Sequence, residues 1–545
     1  MTSSSSTGCR SRNGTRTRAA VVAAVALAAA AAETAAGSAP AGAATTTLAV
    51  PCSTAGLVSA MTSVASTGGK LSLASGCTYA LTAPADPTDG ATGLPVVTAA
   101  VTIVGNRATI TRSTASGTPS FRLFDVAQGG TLTISGVTLS NGLAPAATTP
   151  EVGWGGGAVN SHGTLHVSRV TFKGNAAPSH SGTSGGAIDS AGRLSVANSV
   201  FTGNQAQEGG AIFAQNTTWI TKSTFDGNTA TDYGGGAIVS AAGTTTINAS
   251  TFANNVAVDT GTPPDGYTLG GGAIDNDAYV YVRNSTFFHN AGGSNGGGAI
   301  QNFGTAVVTS STLSGNTSAV SGSDIHTYAD PSAPVPVVTK IARSILGSGG
   351  TNCGGNAPVV DNGFNIDAGT SCGLSATKGS LSNTAVQLGA LASNGGPTQT
   401  MALQPGSPAV DAIPTSAGSC TGTTDQRGTA RPQGTGCDIG AYELKSVAAQ
   451  AATTLSLHVR TGHPDRFTAT LTYSATTGPV AGRQLAVYYH YAPSKRWLLQ
   501  QTLTTDAQGK VYFTEQPGRR CGYIVRFAGT NTELASSSRP ISVAY

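Results

Sequence analysis

Charge is scarce in this sequence. Only 10% of its 545 residues are Asp, Glu, Lys or Arg, and 6% are aromatic. Such a composition suits a disordered linker, but a regular hydrophobic period, described below, argues against disorder. Long apolar runs are also missing. The one N-terminal stretch, Ala19 to Ala32, is too short and too alanine-rich for a membrane span. No Cys-x-x-Cys pair or matching His spacing occurs, which leaves no metal site in the pattern. A metalloprotease helix and a recurring Gly-Gly-x-Gly-x-Asp nonapeptide are absent too.

The first 44 residues read as a secretion signal. Arg10, Arg12, Arg16 and Arg18 precede the apolar run, and Ala39-Pro40-Ala41 and Ala41-Gly42-Ala43 are small-residue cleavage points. No paired arginine is present in this segment, which favours the general export route. Residues 45–450 hold 15 basic and 20 acidic residues, a net −5, and residues 451–545 hold 10 and 4, a net +6. The basic balance therefore belongs to the two ends, and nucleic acid is not an expected partner. Three cysteine pairs are close in sequence, and an exported chain would join them as Cys52–Cys77, Cys353–Cys372 and Cys420–Cys437.

What the chain has in abundance is a repeat. Gly-Gly-Ala recurs at Ala158, Ala187, Ala211, Ala237, Ala273 and Ala299, in steps of 29, 24, 26, 36 and 26 residues. Each copy is followed by Phe/Leu-x-x-Asn, ending at Asn175, Asn204, Asn228, Asn255, Asn290 and Asn316. A period of this size means stacked units that bury their apolar faces against one another. Within one unit, Ile188, Leu194, Val196 and Phe201 occupy inward positions of three short strands, and Gly and Asn punctuate the corners. The stack predicts a Phe column and an Asn ladder. The fold class is all-β: a right-handed parallel β-helix solenoid, followed by a small antiparallel β-sandwich whose strands alternate from Leu455 to Val543. The expected divisions are 1–44 signal, 45–100 N-terminal cap and first rungs, 101–350 repeats, 351–446 C-terminal cap, and 451–545 sandwich. Leu57 to Val64 reads as a short capping helix.

These motifs resemble known families. Gly-Gly-Ala-Ile with Phe-x-x-Asn is similar to the polymorphic outer membrane protein repeat, and the stack resembles pectate-lyase-like β-helices. Asn394-Gly395-Gly396-Pro397, Asp425-Gln426-Arg427-Gly428 and Cys437-Asp438-Ile439-Gly440-Ala441-Tyr442-Glu443 resemble the choice-of-anchor Q region. That resemblance implies a C-terminal cap on a bacterial secreted or cell-surface protein. Residues 451–545 resemble bacterial immunoglobulin-like surface modules.

Chemistry has few footholds. The residue after each Ile/Val points outward: Asn160, Asp189, Phe213, Val239, Asp275 and Gln301. Asp189 and Asp275, three rungs and ~14 Å apart, are too distant for a glycosidase pair, whereas Asp275 and Asp277, about 7 Å apart, qualify as weak catalytic candidates. These carboxylates read chiefly as solvated surface groups. Lys173, Lys222, Arg169, Arg193 and Arg283 read as solvated rung residues, and His162 and His166 as surface or turn residues. Insertions at 142–154, 176–184 and 256–269 fall at one corner and line up along the coil. They bring Glu151, Trp154, His180, Asp259, Asp265 and Tyr267 together with Asp189 as candidate ligand contacts. The expected partner is a polysaccharide or cell-surface glycan. The basic sandwich, through Lys495, Arg496, Arg519, Arg520 and Arg526, could add an anionic cell-wall polymer. The leading reading is an adhesive or glycan-binding protein without catalysis or cofactor. The alternative is a lyase or glycoside hydrolase on the outer face, with Ca²⁺ only in the lyase case.

Overall fold

A computed structural model describes residues 47–545 apart from 88–89, 146–154, 178–183, 233, 259–269, 294–295, 330–336, 419, 446–451, 495, 517–519, 531–532 and 544–545. No helix among the described residues is long and apolar enough to cross a membrane.

A helix, Thr54–Val64, starts where Ser53 Oγ accepts the Gly56 N–H at 3.1 Å. It buries Leu57, Ala60, Met61 and Val64, one stripe at helical spacing, in the core cluster it shares with strands Thr47–Val50, Gly69–Leu73 and Thr78–Leu81. The Cys52–Cys77 disulfide ties the helix start to the last of these strands.

Parallel pairing then runs through Ala100–Arg112, Thr131–Ser140, Thr164–Ser168, Arg193–Ala197, Thr218–Thr221, Thr244–Asn248, Tyr279–Arg283, Thr305–Thr309, Val338–Ala342 and Val359–Asp361. These long strands define rungs 1 to 10. In a typical rung a Gly-Gly-Ala strand such as Ile188–Ser190 precedes the long strand, and a Phe strand such as Val200–Thr202 follows it. Three parallel series around one core make a parallel β-helix. Ile188, Leu194, Val196 and Phe201 are all buried in it, at the parity the alternation predicts.

Three ladders hold the rungs in register. Phe172, Phe201, Phe225, Phe252 and Phe287 stack with centroids 4.6–4.7 Å apart and planes within 6°. From Asn204 on, each Asn accepts, through Oδ1, the backbone N–H and the Nδ2 of the Asn one rung earlier; for Asn228 and Asn255 these distances are 3.0 and 2.9 Å. The Asn255 Nδ2 also donates to the Phe225 carbonyl at 3.0 Å. The last one, Asn316, donates to buried Asp324 at 2.9 Å, which ends the series. A serine ladder was not anticipated: Ser199, Ser223, Ser250, Ser285, Ser311 and Ser344 each accept a backbone N–H of the rung before.

Corners explain the small residues. The second glycine of each signal lies so close to the next rung that a Cβ on Gly186, Gly210 or Gly236 would sit 2.2 Å from a glycine carbonyl oxygen. The corner between long strand and Phe strand is left-handed at Arg169, Asn198, Lys222, Ala249, Asn284, Ser310 and Arg343, with φ of 47–53°. Non-glycine residues there cost about 1–2 kcal/mol each, offset by hydrogen bonds such as Arg169 N–H to Ala197 O at 3.0 Å.

After the strand Ile366–Asp367, which pairs in parallel with Ile345–Leu346, the chain leaves the coil and folds back. Residues 394–444 pack on Ile345 and Ile366 and lie along the flank of the Phe strands. Buried Gln426 donates to Thr251 Oγ1 at 2.9 Å and accepts from Thr286 Oγ1 at 2.7 Å, and the Ala441 N–H donates to Thr312 Oγ1 at 3.0 Å. The charges of this segment are spent on its own turns. Arg427 pairs with Asp425 at 2.6 Å and stacks 3.5 Å over Tyr442, while Arg431 pairs with Glu443 at 2.8 Å. Both expected downstream disulfides, Cys353–Cys372 and Cys420–Cys437, are present.

Residues 453–543 form two antiparallel sheets around a separate core. One holds Thr453–Arg460, Asp465–Tyr473 and Lys510–Glu515. The other holds Gln484–Tyr491, Leu498–Thr504, Cys521–Phe527, Ser536–Ser537 and Ile541–Val543.

Candidate functional site

The Gly-Gly-Ala strands bring one outward residue per rung into register: Asp125, Asn160, Asp189, Phe213, Val239, Asp275, Gln301 and His326. The expectation that Asp189 and Asp275 are solvated is overturned: they are 2% and 7% exposed. At Asp189 the cause is the residue before the rung 3 signal, Gly155, which crosses this face. The Gly155 N–H bonds to Asp189, and the Gly297 N–H donates to Gln301 Oε1 at 3.0 Å. A side chain at Gly155 would strike Asp189, with its Cβ 2.5 Å from Oδ2. Gly155 is therefore a cover fitted closely over Asp189.

Burial raises the pKa of both acids. Desolvation pushes Asp189 up to about 7, against Arg122, the Gly155 N–H and Gln215, with Glu208 adding to the rise. Asp275 is held well above the usual carboxylate range by desolvation first, then by Asp277 and Glu208. Its Oδ1 and the Nε2 of neighbouring Gln301 have no hydrogen-bond partner among the described residues. Asp277 follows the strand Ile274–Asn276 in a turn, half-buried, with its N–H on Ser240 O. Asp275 and Asp277 thus differ in environment, as an acid–base pair requires. Asp189 and Asp275 stand three rungs apart, about 14 Å at the observed stacking step. At the N-terminal end of the column Asp125 is neutralised, paired with buried Arg122 at 2.6 Å and accepting from Asn160 at 2.9 Å. Glu151, Trp154, His180, Asp259, Asp265 and Tyr267 lie outside the described residues.

The long-strand face is of the other kind. Its outward residues are open to solvent, and Trp219, Tyr279 and Tyr281 are 42%, 45% and 43% exposed. Trp219 on rung 5 and Tyr281 on rung 7 share one column with Thr246 between them, about 9 Å apart by two steps of 4.7 Å. Arg193 reaches over the Trp219 ring at 5.9 Å. Sequence reasoning passed over these rings because it searched where the repeat breaks. Their signal was parity: Trp219 lies between inward Thr218 and Ile220, and so points out. In the C-terminal sheets Lys495 and Arg519 lie outside the described residues, Arg496 and Arg520 are exposed, and Arg526 sits 5.2 Å over Tyr488.

Architecture thus defines the class, a parallel β-helix with buried carboxylates on one face and exposed rings on another. Residues 198–215 and 222–241, the turns through rungs 4 to 6, match the Chlamydia polymorphic membrane protein repeat. No curated protein and no solved structure matches the chain.

Proposed function

We propose that this chain is an exported, surface-associated β-helix that binds polysaccharide along its long-strand face and performs no catalysis. The observation that carries the reading is the set of exposed rings at Trp219, Tyr279 and Tyr281, flanked in register by Thr244, Thr246 and Thr305. Exposed aromatic clusters on a soluble surface generally mark a contact site. A ring offers a sugar's C–H face a flat apolar partner, and neighbouring hydroxyls serve its oxygens. The match to a membrane-protein repeat and the signal-like residues 1–44 support surface display. The corner insertions, and the C-terminal sheets read as an Ig-like module facing an anionic cell-wall polymer, would add contacts at the edges. The test is a glycan array probed with the full chain. Saturable binding that Trp219→Ser with Tyr281→Thr removes supports the reading, and no binding to any glycan refutes it.

A second reading has its own observation. Asp275, buried with a raised pKa beside Asp277 and Glu208, suits a general acid for glycan hydrolysis. Release of reducing ends that Asp275→Asn abolishes would establish it. Unsaturated, ultraviolet-absorbing products in the presence of Ca²⁺ would instead mark a lyase.

A further inference from the structure

The open face carries a second pattern, in phase with its rings. From rung 2 to rung 7 the central outward column reads Thr133, His166, Ser195, Trp219, Thr246 and Tyr281. Bulky rings fall on odd rungs and small hydroxyl residues on even ones. The neighbouring corner repeats the phase in charge. Arg107, Arg169 and Lys222 stand at the corners of rungs 1, 3 and 5, and Arg283 stands one residue before the corner of rung 7. The even rungs place Gly136, Asn198 and Ala249 there. All four cations are exposed. Arg343 continues the series on rung 9, half-covered where its carbonyl accepts the Gly440 N–H at 2.9 Å. Between rungs 1 and 3, Gly136 leaves a groove of about 400 Å³ lined by Arg107 and Arg169.

Charge sign is segregated around the coil. Among the described residues of the long and Phe strands of rungs 1 to 9, the one carboxylate is Asp226, which accepts from Asn254 at 2.8 Å. Asp189, Glu208, Asp275 and Asp277 belong to the Gly-Gly-Ala side. Cations on consecutive rungs would stand about 5 Å apart. Alternation along this corner widens this to about 9 Å, near the screening length at physiological salt, so the column persists without a ligand yet still attracts a polyanion; Arg193, on even rung 4, stands at the opposite end of its strand, over the Trp219 ring.

We infer that the long-strand face binds an anionic polysaccharide lying along the coil, its charges meeting a corner cation on every second rung and its sugar faces meeting the rings of rungs 3, 5 and 7. The inference rests on the polysaccharide-binding reading and adds the polymer's charge, direction and repeat. Even rungs supply substitutions that the fold already accepts. Arg169→Asn and Lys222→Asn install the residue rung 4 uses at Asn198 with φ 50°. Trp219→Ser and Tyr281→Thr copy Ser195 and Thr246.

The experiment titrates the full chain with hyaluronan, which carries one carboxylate per disaccharide, and with uncharged dextran, at low and high salt. The expected result is hyaluronan binding that falls about tenfold or more at high salt, in the Arg169→Asn/Lys222→Asn variant, and separately in the Trp219→Ser/Tyr281→Thr variant. Melting temperatures should not change. Equal, salt-insensitive binding of both polymers would overturn the inference and leave the polysaccharide reading standing. So would hyaluronan binding untouched by either variant, which places the anion site elsewhere. Binding of neither polymer, nor of any glycan on the array, would remove both.

Discussion

Asn255→Ala should be among the most damaging single changes in the coil. Its Oδ1 accepts from the Asn228 N–H and Nδ2, and its Nδ2 donates to Phe225 O and Asn290 Oδ1, at 2.9–3.0 Å. Every one of these atoms is buried. Alanine leaves the Asn228 N–H and the Phe225 carbonyl without their side-chain partner in a place water does not reach. Each such orphan costs about 1–3 kcal/mol, so the loss is about 2–6 kcal/mol before the cavity is counted. A solenoid spreads damage through nearest neighbours, so the informative assay is local: hydrogen exchange at the Asn228 amide beside global denaturant unfolding. Exchange should quicken at rungs 5 and 6 more than at rungs 1 and 2. Thr246→Ser, outward on rung 6, serves as control. A global loss under about 1 kcal/mol, with unchanged protection at Asn228, would refute the view that the ladder holds the register.

Gly236→Ala should prevent normal stacking, because its Cβ would meet Gly272 O at 2.2 Å, whereas Gly203→Ala, with φ 61° and open space, should cost only about 1 kcal/mol; yields of folded protein and melting curves separate them. Asp189 binds its proton more tightly folded than unfolded, so stability should fall as pH rises from 3.8 to about 7 and level off above. Asp189→Asn removes that slope and should gain up to about 4 kcal/mol at pH 8, read from melting temperature against pH. Cys52→Ser with Cys77→Ser opens a link of separation 25, worth about 3 kcal/mol, and should free the capping helix before the central rungs in limited proteolysis.

The coil was legible because its constraints are local and repeated. Parity placed Ile188, Leu194, Val196 and Phe201 inside, and the recurring Phe and Asn can only serve a stack. The serine ladder carried an equally plain signal, Ser two residues before each Phe from Phe201 to Phe287, overlooked because serine at a corner reads as turn chemistry. The fate of Asp189 and Asp275 was not legible. Strand alternation says which way a side chain points, not whether another segment, as Gly155 does at Asp189, crosses in front of it. Gln426 was hidden for a related reason, since its partners Thr251 and Thr286 lie 175 and 140 residues away. Lys222 and Arg283 gain meaning only when the rung register is known, because their alternation is a property of the stack.

Hydroxyl-radical footprinting of the full chain with and without hyaluronan tests the central claim most directly. The polymer should protect Trp219, Tyr279 and Tyr281 and leave exposed Tyr512 in the C-terminal sheets as reactive as before. Protection confined to Tyr512 and its neighbours, with Trp219 and Tyr281 unchanged, would contradict the assignment of the long-strand face as the binding surface.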